Sequence, residues 1–398
     1  MSGQFLPPFR EFVLKIHSRC NLACDYCYMY SLADQRWRTR PAVMPDDVID
    51  QAAARISEHA RRWRLPVIRA ILHGGEPLLA GPAVIGRVAA RLRAAAGAPT
   101  SVLISAQTNG SRLTAANLRM LDSLGIGVAV SLDGGAPEYN RHRRRRDGLA
   151  SYPEVRDGLL LLASERYRHL FRGILSVVDI QQDPLAVYSS LLRFGPPAID
   201  FLLPHANWSA PPRRAAGAAA RSYAGWLITI FDDWYGRPRR EVRIRLFEEY
   251  MQVLLGGTSR AEGVGLAQAP VAVIETDGGI EQPDSLKSAY DGATALGMHV
   301  RTHSLDQALG TPSAAARHGG AAALAPACQA CALRTACGGG LYAHRYRAGH
   351  GFGNPSVYCA DLGALISHIR GRLAADLAGK GRPAAGDTPA ASAEPANR

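Results

Sequence analysis

Short apolar runs alternate along the chain with longer stretches in which apolar residues recur at helical spacing. "FVLKIH" (12–17) reads as a strand. A helix follows from about Pro45 to Arg62, with Asp46 and Asp47 at its start, where negative charge suits the helix dipole. "VIRAILHGGEP" (67–77) is a strand running into a glycine turn, and "TSVLISAQTNG" and "IGVAVSLDGG" repeat that plan with helices between them. "GILSVVDI" (173–180) and "AIDFLLPHANW" (198–208) read as two further strands. Strands alternating with helices imply parallel βαβ units. The predicted class is α/β, a partial (β/α)6 barrel, an architecture in which chemistry sits at the C-terminal ends of the strands.

Polar turns follow four of these strands: a cysteine-rich stretch, "HGGEP", "QTNG" and "SLDG". Gly, Asn and Asp are common in such turns for backbone reasons alone. Four of them on one rim, one carrying three cysteines, point to a site. Further on, "SAPPRRAAGAAARSYAGW" (209–226) begins as a linker and turns helical, and 243–255 fits another helix. "VAVIETDGGIEQPDSL" reads as a hairpin with a Gly-Gly turn. The expected division is a barrel over 1–240, a connecting helix over 241–267, a C-terminal domain over 268–370 and a disordered tail over 371–398, whose composition is rich in Pro, Ala and Gly.

Of the 398 residues, 47% are hydrophobic, enough for a large core. No apolar run reaches the roughly 18 residues that span a bilayer, and the start "MSGQFLPPFREF" is not a signal pattern, so a cytoplasmic protein without a membrane partner is expected. The net charge is +12, nearly all of it arginine, since lysine occurs only at Lys15, Lys287 and Lys380. There is no nucleic-acid reader motif, and the one dense basic run is "RHRRRR" (141–146). No nucleic-acid partner is expected; a solvated arginine surface or a groove for an acidic peptide are the two readings of the charge.

The seven cysteines fall in two groups. Clustered short spacings in a chain without a secretion signal indicate metal rather than disulfides. The first group, "HSRCNLACDYCYMY" (17–30), holds Cys20, Cys24 and Cys27 in a CxxxCxxC spacing. Structural zinc needs four ligands, and His17 is the nearest candidate for the fourth. A redox CxxC would leave Cys20 idle. An iron–sulfur cubane on three thiolates would keep one iron open for a small molecule.

CxxxCxxC after a first strand, with "GGEP" at the end of the second, resembles the radical S-adenosylmethionine enzymes. The resemblance implies a 4Fe–4S cluster on Cys20, Cys24 and Cys27, with the methionine amino and carboxylate groups of S-adenosyl-L-methionine on its open iron. Reductive cleavage then yields a 5′-deoxyadenosyl radical that abstracts hydrogen from substrate carbon, the electron coming from a flavodoxin- or ferredoxin-type reductant. Tyr26 matches the aromatic position beside the adenine. Gly74, Gly75 and Glu76 match the motif that binds the methionine amino group, with Glu76 accepting from the ammonium. Asn109 and Ser131 correspond to polar cofactor contacts. Arg143 pairs with the cofactor carboxylate, with Arg141, Arg144, Arg145 and Arg146 as rivals.

The second group, Cys328, Cys331, Cys337 and Cys359, could alone be a structural zinc site. Its CxxC-x5-C…C pattern resembles the SPASM extension of peptide-modifying radical enzymes, where these positions bind an auxiliary 4Fe–4S cluster. The usual extension carries seven cysteines. The partner position 341 is Leu341 here, and the hairpin has no cysteine, so one auxiliary cluster is expected. In that extension a catalytic aspartate lies in the hairpin, and Asp284 in "EQPDS" stands at the matching place. A turn-capping role after Pro283 is the alternative. Asp277 reads as an ordinary Asp-Gly turn residue and Glu281 as a substitute base.

Four stretches, "KIHSRCNLACDYCYMY", "LLPHANWSAPP", "ETDGGIEQPDSLKSAY" and "CGGGLYAHRYRAGHGFGNPSVYCADL", resemble one subgroup, the Fxs-type maturases. That resemblance implies a cyclophane synthase: in a ribosomally made precursor peptide, a radical at Cβ of one residue joins a nearby aromatic ring. The electron left over goes to the auxiliary cluster and the proton to Asp284. No segment before 12 or after about 370 is long enough for a leader-binding domain, so the basic run and the loop His205 to Trp208 are candidate peptide contacts, with packing as the other reading of His205 and Trp208. The alternatives are thioether formation, epimerisation or formylglycine formation on the same cofactor, or a non-catalytic metal scaffold that binds a peptide.

Overall fold

The computed structural model describes residues 7–214, 221–259, 261–266 and 270–380. The chain sets out on β1 (Glu11–His17), β2 (Val67–Gly74), β3 (Ser101–Thr108), β4 (Gly127–Ser131), β5 (Phe171–Val177) and β6 (Ala198–Leu202). Between them lie α1 (Asp46–Arg62), α2 (Gly81–Ala96), α3 (Ala115–Ser123), α4 (Tyr152–Ala163) and α5 (Pro184–Leu192). Each strand pairs in parallel with the next, as the alternating pattern predicts. Side chains on one face of β1, Phe12, Leu14 and Ile16, are fully buried in the layer beneath the helices. Successive residues of a strand point to opposite faces. Val13 and Lys15 therefore face the other way, into the barrel.

Two features depart from the expected division. After α6 (Tyr223–Gly236), the two-residue β7 (Arg243–Ile244) pairs in parallel with β6 before α7 (Arg245–Leu254) begins. The hairpin assigned to a separate C-terminal domain joins the same sheet: β8 (Val271–Ile274) runs parallel to β1, and β9 (Gly279–Glu281) and β10 (Ala295–His299) follow antiparallel. The complete order is β10-β9-β8-β1-β2-β3-β4-β5-β6-β7, open at both ends. A two-residue strand leaves no period-2 signal, and a strand's partner is a property of register rather than of its own residues.

The C-terminal helix, Cys359–Lys380, lies against α6 and α7, and Leu365, Ile366 and Ile369 are buried there. Its course to Lys380, with Leu373 buried, means that no tail begins at 371; the rest of the expected tail lies outside the described residues, as does 215–220 of the linker. No described helix is long and apolar enough to cross a membrane. Trp226, Phe231, Trp234 and Phe247 form the aromatic centre of this layer, with the Phe231 and Phe247 rings edge-to-face at 5.3 Å. Truncating a fully buried aromatic loses its transfer free energy and leaves a cavity. Phe247→Ala should cost about 3–5 kcal/mol and lower the urea midpoint of unfolding, measured anaerobically.

Candidate active site

The cysteine loop is held in place by the end of β2. Gly75 N–H donates to the His17 carbonyl at 2.9 Å and Glu76 N–H to the Arg19 carbonyl at 3.0 Å. A Cβ on Gly75 would sit 2.0 Å from Tyr30 Oη and 2.4 Å from the Arg19 oxygen, so only glycine permits this approach. The motif thus clamps the turn that leads into Cys20. Glu76 is fully buried. Its Oε1 accepts from Leu78 N–H and Thr108 Oγ1–H, and its Oε2 from Asn109 N–H at 2.7 Å. Two of these bonds tie the end of β2 to the β3 turn, the third caps the turn after Glu76, and Glu76 does not line the adjoining cavity.

That cavity, of 170 Å³, brings together Cys20, Cys24, Cys27, Tyr26, Gly74, Gly75, Asn109, Ser131 and Arg143. Asn109 lies with Nδ2 3.6 Å from Cys20 Sγ and 3.0 Å from Asn21 Oδ1, and Ser131 accepts from Gln107 Nε2 at 2.9 Å. Among the arginine rivals the geometry separates one. Arg143 is buried, donates to Tyr26 Oη at 2.9 Å and leaves its Nε without a hydrogen-bond partner. Arg141 pairs with Asp179, Arg145 with Asp147 and Glu154, and Arg144 donates to backbone carbonyls. Tyr26 in turn donates to Asp133 Oδ2 at 2.6 Å. Burial raises the Tyr26 phenol, only partly offset by Arg143, so it stays a donor. Asp133, unremarked in "SLDG", is what orients the ring. His17 is not in this wall; its Nδ1 lies 3.0 Å from the Arg19 carbonyl and 3.2 Å from the Arg19 nitrogen.

A second cavity, of 320 Å³, lies against the first, and Tyr28, His73, Leu202, Leu203 and His205 line both. Asp284, Ser285, Glu262 and His344 also line the second cavity. Burial favours the neutral carboxyl of Asp284, but the charges of Lys15 and Lys287 outweigh it and hold the group well below the usual carboxylate range. Asp284 therefore faces a cavity as well as starting the short helical turn after Pro283. Glu281 lines neither cavity; it is buried in ion pairs with Arg36 and Arg40. Asp277 accepts from Gly279 N–H, as a turn residue does. His205, whose other reading was packing, lines both cavities and a third, while Trp208 donates to the Pro355 carbonyl and ties its loop down.

Of the four remaining cysteines, Cys328 and Cys337 lie on two short helices, Pro326–Gln329 and Arg334–Cys337, Cys331 on the turn between them, and Cys359 at the start of the C-terminal helix. Each of Cys328, Cys337 and Cys359 is raised by burial first and then by the charge of one or more of the other thiols in the group. Cys337 leads into Gly338, Gly339 and Gly340, all at positive φ, whose three carbonyls turn onto the guanidinium of Arg345. Leu341 follows at the position a fifth cysteine would take.

All seven described cysteines are free thiols. Burial pushes Cys20 up to about 11 and Cys24 up to about 12. Thiols raised that far stay protonated near neutrality unless a metal replaces the proton. Three thiols on one wall, an orphaned guanidinium nitrogen and a glycine cradle suit an iron–sulfur cluster and a small zwitterion. Residues 14–175 match the family model of the Radical SAM superfamily. Domains of this class work with S-adenosylmethionine and a 4Fe–4S cluster.

The chain is 26% identical over 282 residues to the cysteine-type anaerobic sulfatase-maturating enzyme of Clostridium perfringens, covering 69% of this chain and 74% of that protein. To the serine-type enzyme of Klebsiella aerogenes it is 26% identical over 353 residues, 86% of this chain and 82% of that one. Its fold matches native anSMEcpe with bound AdoMet and Cp18Cys peptide at a TM-score of 0.75 and 22% identity, over 94% of this chain and all of the other.

The rings of His73, His205 and His344 are held neutral by burial, at about 3, about 4 and about 3. The unfolded rings take up protons below about 6.5, whereas the folded ones do not until far lower. Stability should therefore fall as pH drops from 6.5 towards 4. His344→Phe should flatten the slope by about 1.4 kcal/mol per pH unit, read from urea unfolding across that range.

Proposed function

We propose that the chain is a radical SAM peptide maturase that oxidises the Cβ of a cysteine or serine side chain to formylglycine. The observation that carries this reading is the pair of cavities with a common wall. One is lined by Cys20, Cys24 and Cys27, the other by Asp284. The sulfatase-maturating relatives favour formylglycine over the cyclophane. When bound, a 4Fe–4S cluster on these thiols together with S-adenosylmethionine supplies a 5′-deoxyadenosyl radical able to take hydrogen from carbon. Arg143, with its free Nε, would hold the cofactor carboxylate, and Tyr26 would wall the adenine.

The peptide enters the larger cavity, with the target Cβ at the wall formed by Tyr28, His73 and His205. Loss of a hydrogen atom from Cβ leaves one electron and one proton to remove. Asp284 takes the proton. Its carboxyl is held ionised by Lys15 and Lys287, so it accepts only from a group made strongly acidic, as the hydroxyl or thiol becomes when the radical carbon gives up its electron. Serine then becomes the aldehyde directly, whereas cysteine reaches it through a thioaldehyde that water hydrolyses with release of hydrogen sulfide. Cys328, Cys331, Cys337 and Cys359 would hold an auxiliary 4Fe–4S cluster able to receive the electron, and a flavodoxin or ferredoxin would supply the reducing electron for each cycle.

A cyclophane is the second reading, favoured by the resemblance of the stretch 337–362, and it also begins at Cβ. After anaerobic reconstitution, iron should reach about eight per chain, and dithionite with S-adenosylmethionine should yield 5′-deoxyadenosine. Zinc with little iron, or no 5′-deoxyadenosine, would sink the proposal. Treated Cp18Cys peptide should react with hydroxylamine, as an aldehyde does and a carbon–carbon ring does not. Asp284→Asn should lower peptide product by about 100-fold or more, while 5′-deoxyadenosine still forms.

A further inference from the structure

Both lysines whose side chains are described, Lys15 and Lys287, are buried, and both face the same carboxylate. Lys15 is fully buried and ion-paired with Asp284 Oδ2. Lys287 lies 3.4 Å from Asp284 Oδ1 and 2.5 Å from Glu275. The parallel register of β1 and β2 sets Lys15 directly beside His73. Its ammonium has three hydrogens and finds three acceptors: Asp284 Oδ2, His73 Nδ1 at 3.0 Å and Met29 Sδ at 3.6 Å. A planar guanidinium could not converge on three such partners around one point.

An ammonium only donates, so His73 Nδ1 must accept, and the ring proton belongs on Nε2. The Gly74 carbonyl, 3.1 Å from the same Nδ1, would favour the opposite tautomer, and the charge on Lys15 decides between them. Asp284, held from below by the same ammonium, keeps an oxygen, Oδ1, that has no hydrogen-bond donor. His73 and Asp284 both line the larger cavity, and His73 also lines the cofactor cavity.

We infer that Lys15 is a positioning residue that fixes a donor and an acceptor on the target side chain's path, the Nε2–H of His73 and the carboxylate of Asp284. Together they take a group that receives one hydrogen bond and gives one, the thiol or hydroxyl of the peptide residue to be oxidised. The inference rests on the maturase reading for its substrate, while the tautomer rests on the geometry alone.

The test uses oxidised holoenzyme labelled with ¹⁵N-histidine. The His73 signals, identified by their loss in His73→Gln, should show the proton on Nε2. Lys15→Met should transfer it to Nδ1, and Lys15→Met/Asp284→Asn, which leaves no stranded carboxylate, should do the same. A proton on Nδ1 in the wild type, or no change in both variants, overturns the positioning role. Binding is then compared for the Cp18Cys peptide and its Cys→Ala form. The alanine form should bind about 10- to 100-fold more weakly to the wild type, the worth of two hydrogen bonds. His73→Gln, whose amide can accept from Lys15 and donate to the cavity, should keep that preference. His73→Leu should shrink it by about 3- to 10-fold, the worth of the one bond it removes. No preference in the wild type, or an equal one in His73→Leu, overturns the assignment. A failure to form 5′-deoxyadenosine would instead strike the maturase reading and leave the ring proton as measured.

Discussion

The structure turns on a single buried charge in the middle of its sheet. Lys15 faces the barrel interior because the pleat of β1 sends Phe12, Leu14 and Ile16 to the helices. An ammonium in that position is tolerated only when its hydrogens are all taken. One partner comes from β2, one from the cysteine loop and one from the hairpin beyond β8. Losing one member of such a pair typically costs about 3–5 kcal/mol, because the other is left charged in the interior. The same ammonium therefore ties the strand that launches the cysteines to the segment that carries Asp284. The pairing of β8 with β1 brings that segment within reach.

Around this centre the rim is built by turns that grip one another. Glu76 ties the β2 turn to the β3 turn, Gly75 N–H bonds the His17 carbonyl, and Asn109 reaches Cys20. On the opposite side Arg143, Tyr26 and Asp133 form a chain from guanidinium through phenol to carboxylate. Side chains that read as cofactor ligands by pattern thus divide in two. Some face the cavity, as Ser131 and Arg143 do, and some hold the others in place, as Glu76 does. The basic run follows the same logic. Only Arg143 turns inward, while Arg141 and Arg145 are compensated by nearby carboxylates and present no bare positive stripe.

Much of this was legible along the chain because it depends on local rules. Short apolar runs and helical spacing located β1 to β5 and α1 to within a few residues and the start of β6, and short cysteine spacings marked both thiol groups. Glycine and asparagine turns betrayed the rim. What escaped depends on neighbours distant in sequence. Lys15 and His73 look like ordinary strand residues, and Asp133 and His205 like turn residues. Their importance lies in what the register sets beside them.

The sequence by itself determined which residues could carry chemistry: seven thiols in two groups, a Gly-Gly-Glu turn and an aspartate in a hairpin. It did so because spacing along a loop decides which side chains can converge. Only the tertiary structure decided which arginine turns inward, that the hairpin completes the barrel's own sheet, and that Lys15 and Lys287 meet on one carboxylate. Those outcomes depend on strand register and on the cost of burying charge, and neither is a property of any one segment.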